Sequence, residues 1–362
     1  MDVYVLGVAV EPPRLEITGR RLEEIVFDVT RAALHEAGIE RAEIDHVTIA
    51  ACDELDGRSI SSMLLAMPAG AYLKDEIKCT DSGLTGLCLG AMRMVSGFGD
   101  LGLVVSWNKN STSPFENVMS SRAEPFYLRP IGMNAAVADG LFASAVMHAH
   151  GIGEDEATEA VIAQCRRAAR NPRGLGGPVP AGPAIKASPY LATPLRKGHQ
   201  APLSDGAAAF VLATGAWLAR HPTAQPLARL AGLGWSVDSY ALGEARLSGL
   251  GSFRNAFERA LGMAELDYGD LDAVELDAQT GFHAAAYAQA LKEVDPDALS
   301  PSGGAFAQNP YFCTGLVNAA EAVLQVARRA GPVQVPGAAL AAAHGQHGYA
   351  QQGNVVAIFE GV

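Results

Sequence analysis

Charged residues are scarce in this chain of 362 residues, 18% in all, and unbalanced: 27 lysines and arginines against 39 aspartates and glutamates give a formal net charge of -12. An excess of that sign repels phosphate backbones and anionic membrane surfaces at long range, which disfavours general nucleic-acid or membrane-surface binding. Cysteine is rare as well. Cys52, Cys79, Cys88, Cys165 and Cys313 are odd in number, widely spread and without CxxC or close Cys/His spacing, so neither a disulfide framework nor a metal site is expected. No run approaches the ~20 apolar residues that cross a bilayer. The opening MDVYVLGVAVEPPRLE has an acidic second residue and an apolar run stopped by Glu11 and two prolines, unlike a signal peptide. A cytoplasmic protein is expected. The 39 glycines and 20 prolines follow no period, and 49% of residues are hydrophobic, which describes a folded chain of two domains or one large double unit.

What the sequence does contain is a repeat. Residues 33–49, ALHEAGIERAEIDHVTI, align without a gap on 260–276, ALGMAELDYGDLDAVEL, at an offset of 227, the separation of Asp45 from Asp272. Each copy reads as the end of an amphipathic helix, a polar connection and a strand. The period is far too long for a solenoid and implies two related α/β halves.

In the first half, residues 3–10 read as a strand, 20–37 as a helix with Leu22, Ile25, Val26, Val29 and Ala33 on one face, 46–51 as a strand, 82–97 as a helix and 101–107 as a strand. The second half follows the same order: strand near 226–236, helix 250–262, strand 272–277, helix 314–330 and strands 338–343 and 354–360. Strands alternating with helices predict a mostly parallel, buried sheet. Residues 108–200, richer in Gly, Pro and polar residues, read as a loop domain with helices near 134–150 and 155–170.

Four stretches then carry a family likeness. CTDSGLTGL (79–87), SDGAAAFVL (204–212) after PLRKGHQAP, SPSGGAFAQNP (300–310) followed by a helix, and HGQHGYAQQGNVVAIFE (344–360) stand in an order that resembles the thiolase superfamily over nearly the whole chain. The resemblance implies an α/β thiolase fold: duplicated βαβαβαββ halves, 1–215 and 216–362, in a layered α-β-α-β-α arrangement, with the loop domain in the first half.

The family works through a cysteine thiolate at a helix N-terminus, where the dipole and free N–H groups lower its pKa and help hold the oxyanion. Counted from Ser82-Gly83, that position is Thr80, and Cys79 stands one residue upstream. Three readings stay open: a functional Cys79 thiol, a hydroxyl nucleophile at Thr80 or Ser82, or no acyl-enzyme, with the helix start at Ser82 and Gly83 still holding an oxyanion. Cys88 falls in phase with Leu84 and Ala91 and reads as core. The family's Gly-His-Pro is Gln308-Asn309-Pro310 here, so Asn309 takes the histidine's place, and an amide accepts no proton near neutral pH. Asp277 or Gln279 stands for the family's asparagine, Gln279 being favoured because an amide still orders water. In the last loop His347 occupies the place of the second cysteine, with His344 on its leading edge and Tyr349 two residues on. Gly303, Gly304 and Gly348 are implied substrate or CoA contacts.

The resemblance further implies a CoA-thioester or acyl-carrier-protein-thioester substrate and no tightly bound cofactor. Cations such as Lys109, Arg122, Arg129 and Arg196 are candidates for the CoA phosphates. It implies a homodimer, and a small zinc-ribbon/OB-fold acyl-CoA-binding protein as partner. The reactions it leaves open are acyl transfer or carbon–carbon bond formation or cleavage with an altered residue set, among them retro-aldol cleavage of a β-hydroxyacyl-CoA by His347 or Tyr349. A non-catalytic acyl-CoA-binding subunit is the remaining reading.

Overall fold

A computed structural model describes residues 2–362. The chain begins β1 (Val3–Val10), α1 (Leu22–Ala37), β2 (His46–Ala50), α2 (Ser62–Leu65), β3 (Asp75–Cys79), α3 (Gly83–Val95) and β4 (Leu101–Lys109). It continues through α4 (Phe115–Arg122), α5 (Ala135–His150), α6 (Glu154–Ala168), α7 (Gly182–Ala187) and the short hairpin β5 (Tyr190–Ala192) and β6 (Leu195–Arg196). Then come β7 (Asp205–Thr214), α8 (Gly215–Arg220), β8 (Ala228–Val237), α9 (Glu244–Gly249), α10 (Gly251–Ala264), β9 (Ala273–Glu275), α11 (Gly281–Ala290), α12 (Thr314–Val326), β10 (Leu340–His347) and β11 (Gly353–Glu360).

Among these residues nine strands form one sheet in the order β3-β2-β4-β7-β1-β8-β11-β10-β9. Read outward from the β1–β8 junction, the two sides mirror each other. First and last strands of each half lie innermost, then β4 or β10, then β2 or β9. The second side stops one strand early: where β3 pairs with β2, only an isolated bridge between Val274 and Leu299 remains.

The repeat seen in the sequence has a physical counterpart. Asp45 Oδ2 accepts from the N–H groups of Asp100 (2.7 Å) and Leu101 (2.9 Å) at the start of β4. Asp272 Oδ2 does the same for Ala339 and Leu340, both at 2.9 Å, at the start of β10. Each aspartate ties the start of one strand, β2 or β9, to the start of its parallel neighbour, β4 or β10. Glycines repeat too. A Cβ at Gly7 would collide with α1 at Ala33 and Ala37, and one at Gly234 would collide with α10 at Ala256 and Ala260, so each outer helix rests on bare backbone.

The layers follow from burial. On α1, Leu22, Ile25, Val26, Val29 and Ala33 form one buried stripe, and the helix stops at Gly38 in a left-handed turn, φ 66°. All thirteen residues of α12 are buried, as expected of an apolar helix with no solvent face. It shares one core with Leu84, Leu87 and Ala91 of α3, with Phe210 of β7 and with Val355 of β11. The pair α3 and α12 is therefore the middle layer, flanked by the two sides of the sheet, with α1 and α10 outside.

One expectation is corrected here. The sheet is mixed, not mostly parallel: only β2–β3, β2–β4 and β9–β10 run parallel, while β4–β7, β7–β1, β1–β8, β8–β11 and β11–β10 are antiparallel. Helical crossovers enforce parallel pairing only where they link neighbours; β10 and β11 are joined by a short connection and must reverse. The edge strand β3, DEIKC, is half exposed and charged, so it carried no apolar pattern to read.

Candidate active site

The turn from β3 into α3 is Cys79-Thr80-Asp81-Ser82. Pairing of β3 with β2 sets Cys79 opposite Ala50, and the helix begins after Ser82, whose backbone is extended. The first N–H groups of such a helix have no partner within it and carry the positive end of its dipole. Ser82 itself is only 2% exposed. Its Oγ has no hydrogen-bond partner and fits where Gly315 and Gly345 have no side chain: a Cβ at either would collide with it.

In front of this turn is a cavity of about 400 Å³. Its walls are Cys79, Thr80 and Asp81 from the turn, Met119 and Arg122 from α4, Tyr311 and Phe312 before α12, and His347, Gly348, Tyr349 and Gln352 from the β10–β11 connection. Segments far apart in sequence thus bring together six of the residues singled out above: Cys79, Thr80, Arg122, His347, Gly348 and Tyr349. A larger groove of about 1010 Å³, near Glu36, Trp217, His221 and Arg329, contains none of them.

His347 is the last residue of β10 and partly exposed. Its Nδ1 lies 2.9 Å from Asp81 Oδ1, and its ring lies over Gly353, its partner in the β10–β11 register. A Cβ at 353 would collide with the imidazole. Tyr349 donates its hydroxyl to the Met119 carbonyl, and burial raises its pKa against the opposing pull of Arg122 and Arg129. Burial, reinforced by the Asp81 carboxylate, pushes the Cys79 thiol up to about 11. A thiol so placed is almost wholly protonated at neutral pH, the reverse of an activated nucleophile. Arg122 donates to Cys52 Sγ at 3.0 Å, lies 3.4 Å from Glu54 Oε2 and stacks over Phe312.

Asn309 and Gln279 do not line this cavity. They form a separate buried network: Asn309 Nδ2 donates to Gln279 Oε1 (2.7 Å), Gln279 Nε2 donates to Asn309 Oδ1 (3.1 Å) and to Asp277 Oδ1 (2.6 Å), and Thr314 Oγ1 donates to Asn309 Oδ1 (2.8 Å). Burial pushes Asp277 up to about 7, opposed by the N–H of Gln346 and the Gln279 amide. His344 is fully buried beside it, bonded to Asn354 Oδ1 at 2.8 Å and lowered by burial to about 4.

The other expected contacts also sit elsewhere. Gly83 is packed against Ser106 and Leu316, Gly303 (φ 93°) against the backbone of Ala168, and Gly304 (φ 51°) against the carbonyl of Leu276, so bare backbone at these points serves packing. Arg196 is bound to Glu154 Oε2 at 2.7 Å and stacks on Tyr190; it ties the loop region together instead of lining the cavity. Cys88 and Cys313 are buried, the latter donating to the Ser106 carbonyl at 3.3 Å. Among the described residues no His, Cys, Asp and Glu cluster is arranged to hold a metal, and no helix is long and apolar enough to cross a membrane.

Sequence reasoning missed Asp81, Met119, Tyr311, Phe312 and Gln352. Asp81 had a signal: an acid just before a helix start is favourably placed by the dipole. Its partnership with His347 had none, because it is made only by folding.

A duplicated α/β unit with two central helices and a cavity at the N-terminus of one of them defines a thiolase-fold protein. No family model matches the chain. It is 26% identical over 371 residues, covering 95% of both chains, to an acetyl-CoA acetyltransferase from Methanothermobacter thermautotrophicus. Its fold is similar to that of the Ltp2-ChsH2(DUF35) aldolase (TM-score 0.82, 16% identity). Human mitochondrial 3-ketoacyl-CoA thiolase is similar too (TM-score 0.80, 17% identity), as is that thiolase in complex with CoA (TM-score 0.81, 16% identity). Each of these likenesses covers 99% of this chain and 98% of the other. With a relative matched over nearly its whole length and solved structures of the same architecture, the chain has the thiolase fold.

Proposed function

We propose that this chain is an enzyme of the thiolase superfamily, that its substrate is an acyl-CoA thioester, and that it makes or breaks the carbon–carbon bond beside the thioester without a cysteine acyl-enzyme. One observation carries the reading: His347, paired with Asp81, faces the same cavity as the α3 turn, where the thiol of Cys79 is pushed up to about 11. In the cleavage direction, His347 takes the proton of a β-hydroxyl. The O–H electron pair becomes the new carbonyl bond, the Cα–Cβ bond breaks, and its electrons pass into the thioester as an enolate. The N-terminus of α3 is suited to that oxyanion. Protonation at Cα, with the proton returned by His347, completes a retro-aldol step. Tyr349 serves as wall rather than base, because its hydroxyl is committed to Met119.

A second reading, acyl transfer through Thr80, has its own support. Thr80 is exposed at the cavity in the family's nucleophile position, and the curated relative is named an acetyl-CoA acetyltransferase.

The mirrored sheet supports a division into halves at 215/216, with the region 108–200 in the first. Five free cysteines fit the reducing cytoplasm. We also read a homodimer through β3, an outer edge with Ile77, Leu73 and Met63 exposed nearby. A small zinc-ribbon/OB-fold partner is suggested by the DUF35 component named in the aldolase neighbour.

Intact-protein mass spectrometry with acetyl-CoA and 3-hydroxyacyl-CoA, together with product analysis, tests the reaction. The reading expects no covalent adduct and release of a shorter acyl-CoA with a carbonyl product. An adduct lost in Thr80→Ala or Cys79→Ala sinks it in favour of acyl transfer. No turnover of any acyl-CoA, with binding retained, leaves a non-catalytic subunit.

A further inference from the structure

We propose that Asp81 is the positioning residue for His347, holding the imidazole in the Nδ1–H tautomer so that Nε2 is left to accept the substrate proton. The inference rests on the role given to His347 above.

Two contacts define the ring, and a third anchors the carboxylate beside it. Asp81 Oδ1 is 2.9 Å from Nδ1. The same oxygen accepts the Ser82 N–H at 2.8 Å, which anchors the carboxylate at the start of α3, where the dipole favours negative charge. On its flat side the ring is seated over Gly353, where a side chain would expel it. A carboxylate offers only acceptor oxygens, so this placement favours the proton on Nδ1, and the lone pair then belongs to Nε2. When His347 takes a proton, the imidazolium faces a fixed anion already in place.

Other groups do not compete for Asp81. No lysine or arginine pairs with it among the described residues; Arg122, the cation on the same cavity wall, is engaged by Glu54 and Cys52. Cys79, Thr80 and Tyr349 complete the surroundings. Asp81 is half-buried, and its one side-chain partner is a histidine presented by the far half of the sequence.

The test uses the full-length protein and two readouts. Nitrogen-15 NMR of the His347 ring, assigned by comparison with His347→Gln, reports the tautomer, and steady-state kinetics with 3-hydroxybutanoyl-CoA as probe report the consequence. Wild type is expected in the Nδ1–H form. Asp81→Ala shifts it toward Nε2–H and lowers kcat about 100-fold with KM changed less than about threefold. Asp81→Asn, which keeps an accepting oxygen but no charge, retains the tautomer and recovers part of kcat; it also covers the case in which the alanine variant fails to fold. A wild-type His347 in the Nε2–H form, or an Asp81→Ala enzyme with wild-type tautomer and kcat, overturns the proposal. If the tautomer responds as stated while the probe is not turned over, Asp81 keeps its role and the fault lies with the assigned reaction.

Discussion

Asn309 and Gln279 face each other as reciprocal amides, each donating to the other's oxygen at 2.7 and 3.1 Å. The position where a thiolase has a histidine is thereby filled by a group with no basic lone pair, locked by a neighbour that matches it. Under the proposed reaction the proton chemistry comes from elsewhere, and His347 is the histidine that lines the cavity.

This pair makes a prediction about stability. Asn309→Ala or Gln279→Ala strands a buried amide and should cost about 1–3 kcal/mol each. The double variant should cost clearly less than the sum, since the second truncation removes the group that the first left unpaired. Chemical denaturation of the three variants measures the coupling; strict additivity would mean that the amides do not depend on each other.

Duplication gives a second expectation. Asp45→Ala and Asp272→Ala each remove two charge-assisted bonds to the start of an inner strand. Each should destabilise by about 2 kcal/mol, and because the sites are separate their effects should add. Melting curves that separate the two by more than a factor of about three would deny them equivalent roles.

Asp277 ties stability to pH. Its carboxyl is pushed up to about 7 by burial, so the folded state keeps its proton where the unfolded chain has lost it. The sign is therefore a loss of stability as pH climbs from about 4 to about 7, levelling above. Buried His344, lowered to about 4, acts in the opposite sense on the acid side, so the comparison must be with Asp277→Asn in the same background. Over about pH 5 to about pH 8 the variant should show a flatter profile, by on the order of 2 kcal/mol. Parallel wild-type and variant profiles would remove Asp277 from the account.

Much of the fold was legible because it is written in local patterns. The Asp45 and Asp272 segments match in sequence and do the same work in space, and the buried stripes of α1 and α3 follow helical spacing. Edge strand β3 escaped because an exposed strand needs no apolar alternation. Strand direction escaped because periodicity reports which face is buried, not which neighbour lies alongside. At the site, Cys79, Thr80, His347, Gly348 and Tyr349 gather as their motifs suggest, whereas Gln279 and Asn309 meet each other behind them. Contacts between distant segments, Asp81 with His347 above all, have no trace in one sequence.

Gly353 offers a structural handle on that last contact. Gly353→Ala puts a methyl group where the His347 ring lies, so it should lower kcat at least about tenfold while the far-ultraviolet circular dichroism stays that of wild type. Unchanged turnover in a folded variant would show that the ring's seat is irrelevant to the reaction.

The central claim is that His347, and no cysteine, carries the chemistry. Turnover of a 3-hydroxyacyl-CoA by wild type, Cys79→Ala and His347→Ala measured side by side tests it most directly. The account predicts a Cys79→Ala enzyme within about threefold of wild type and a His347→Ala enzyme reduced about 100-fold or more. A Cys79→Ala enzyme that is dead while His347→Ala remains active would contradict it.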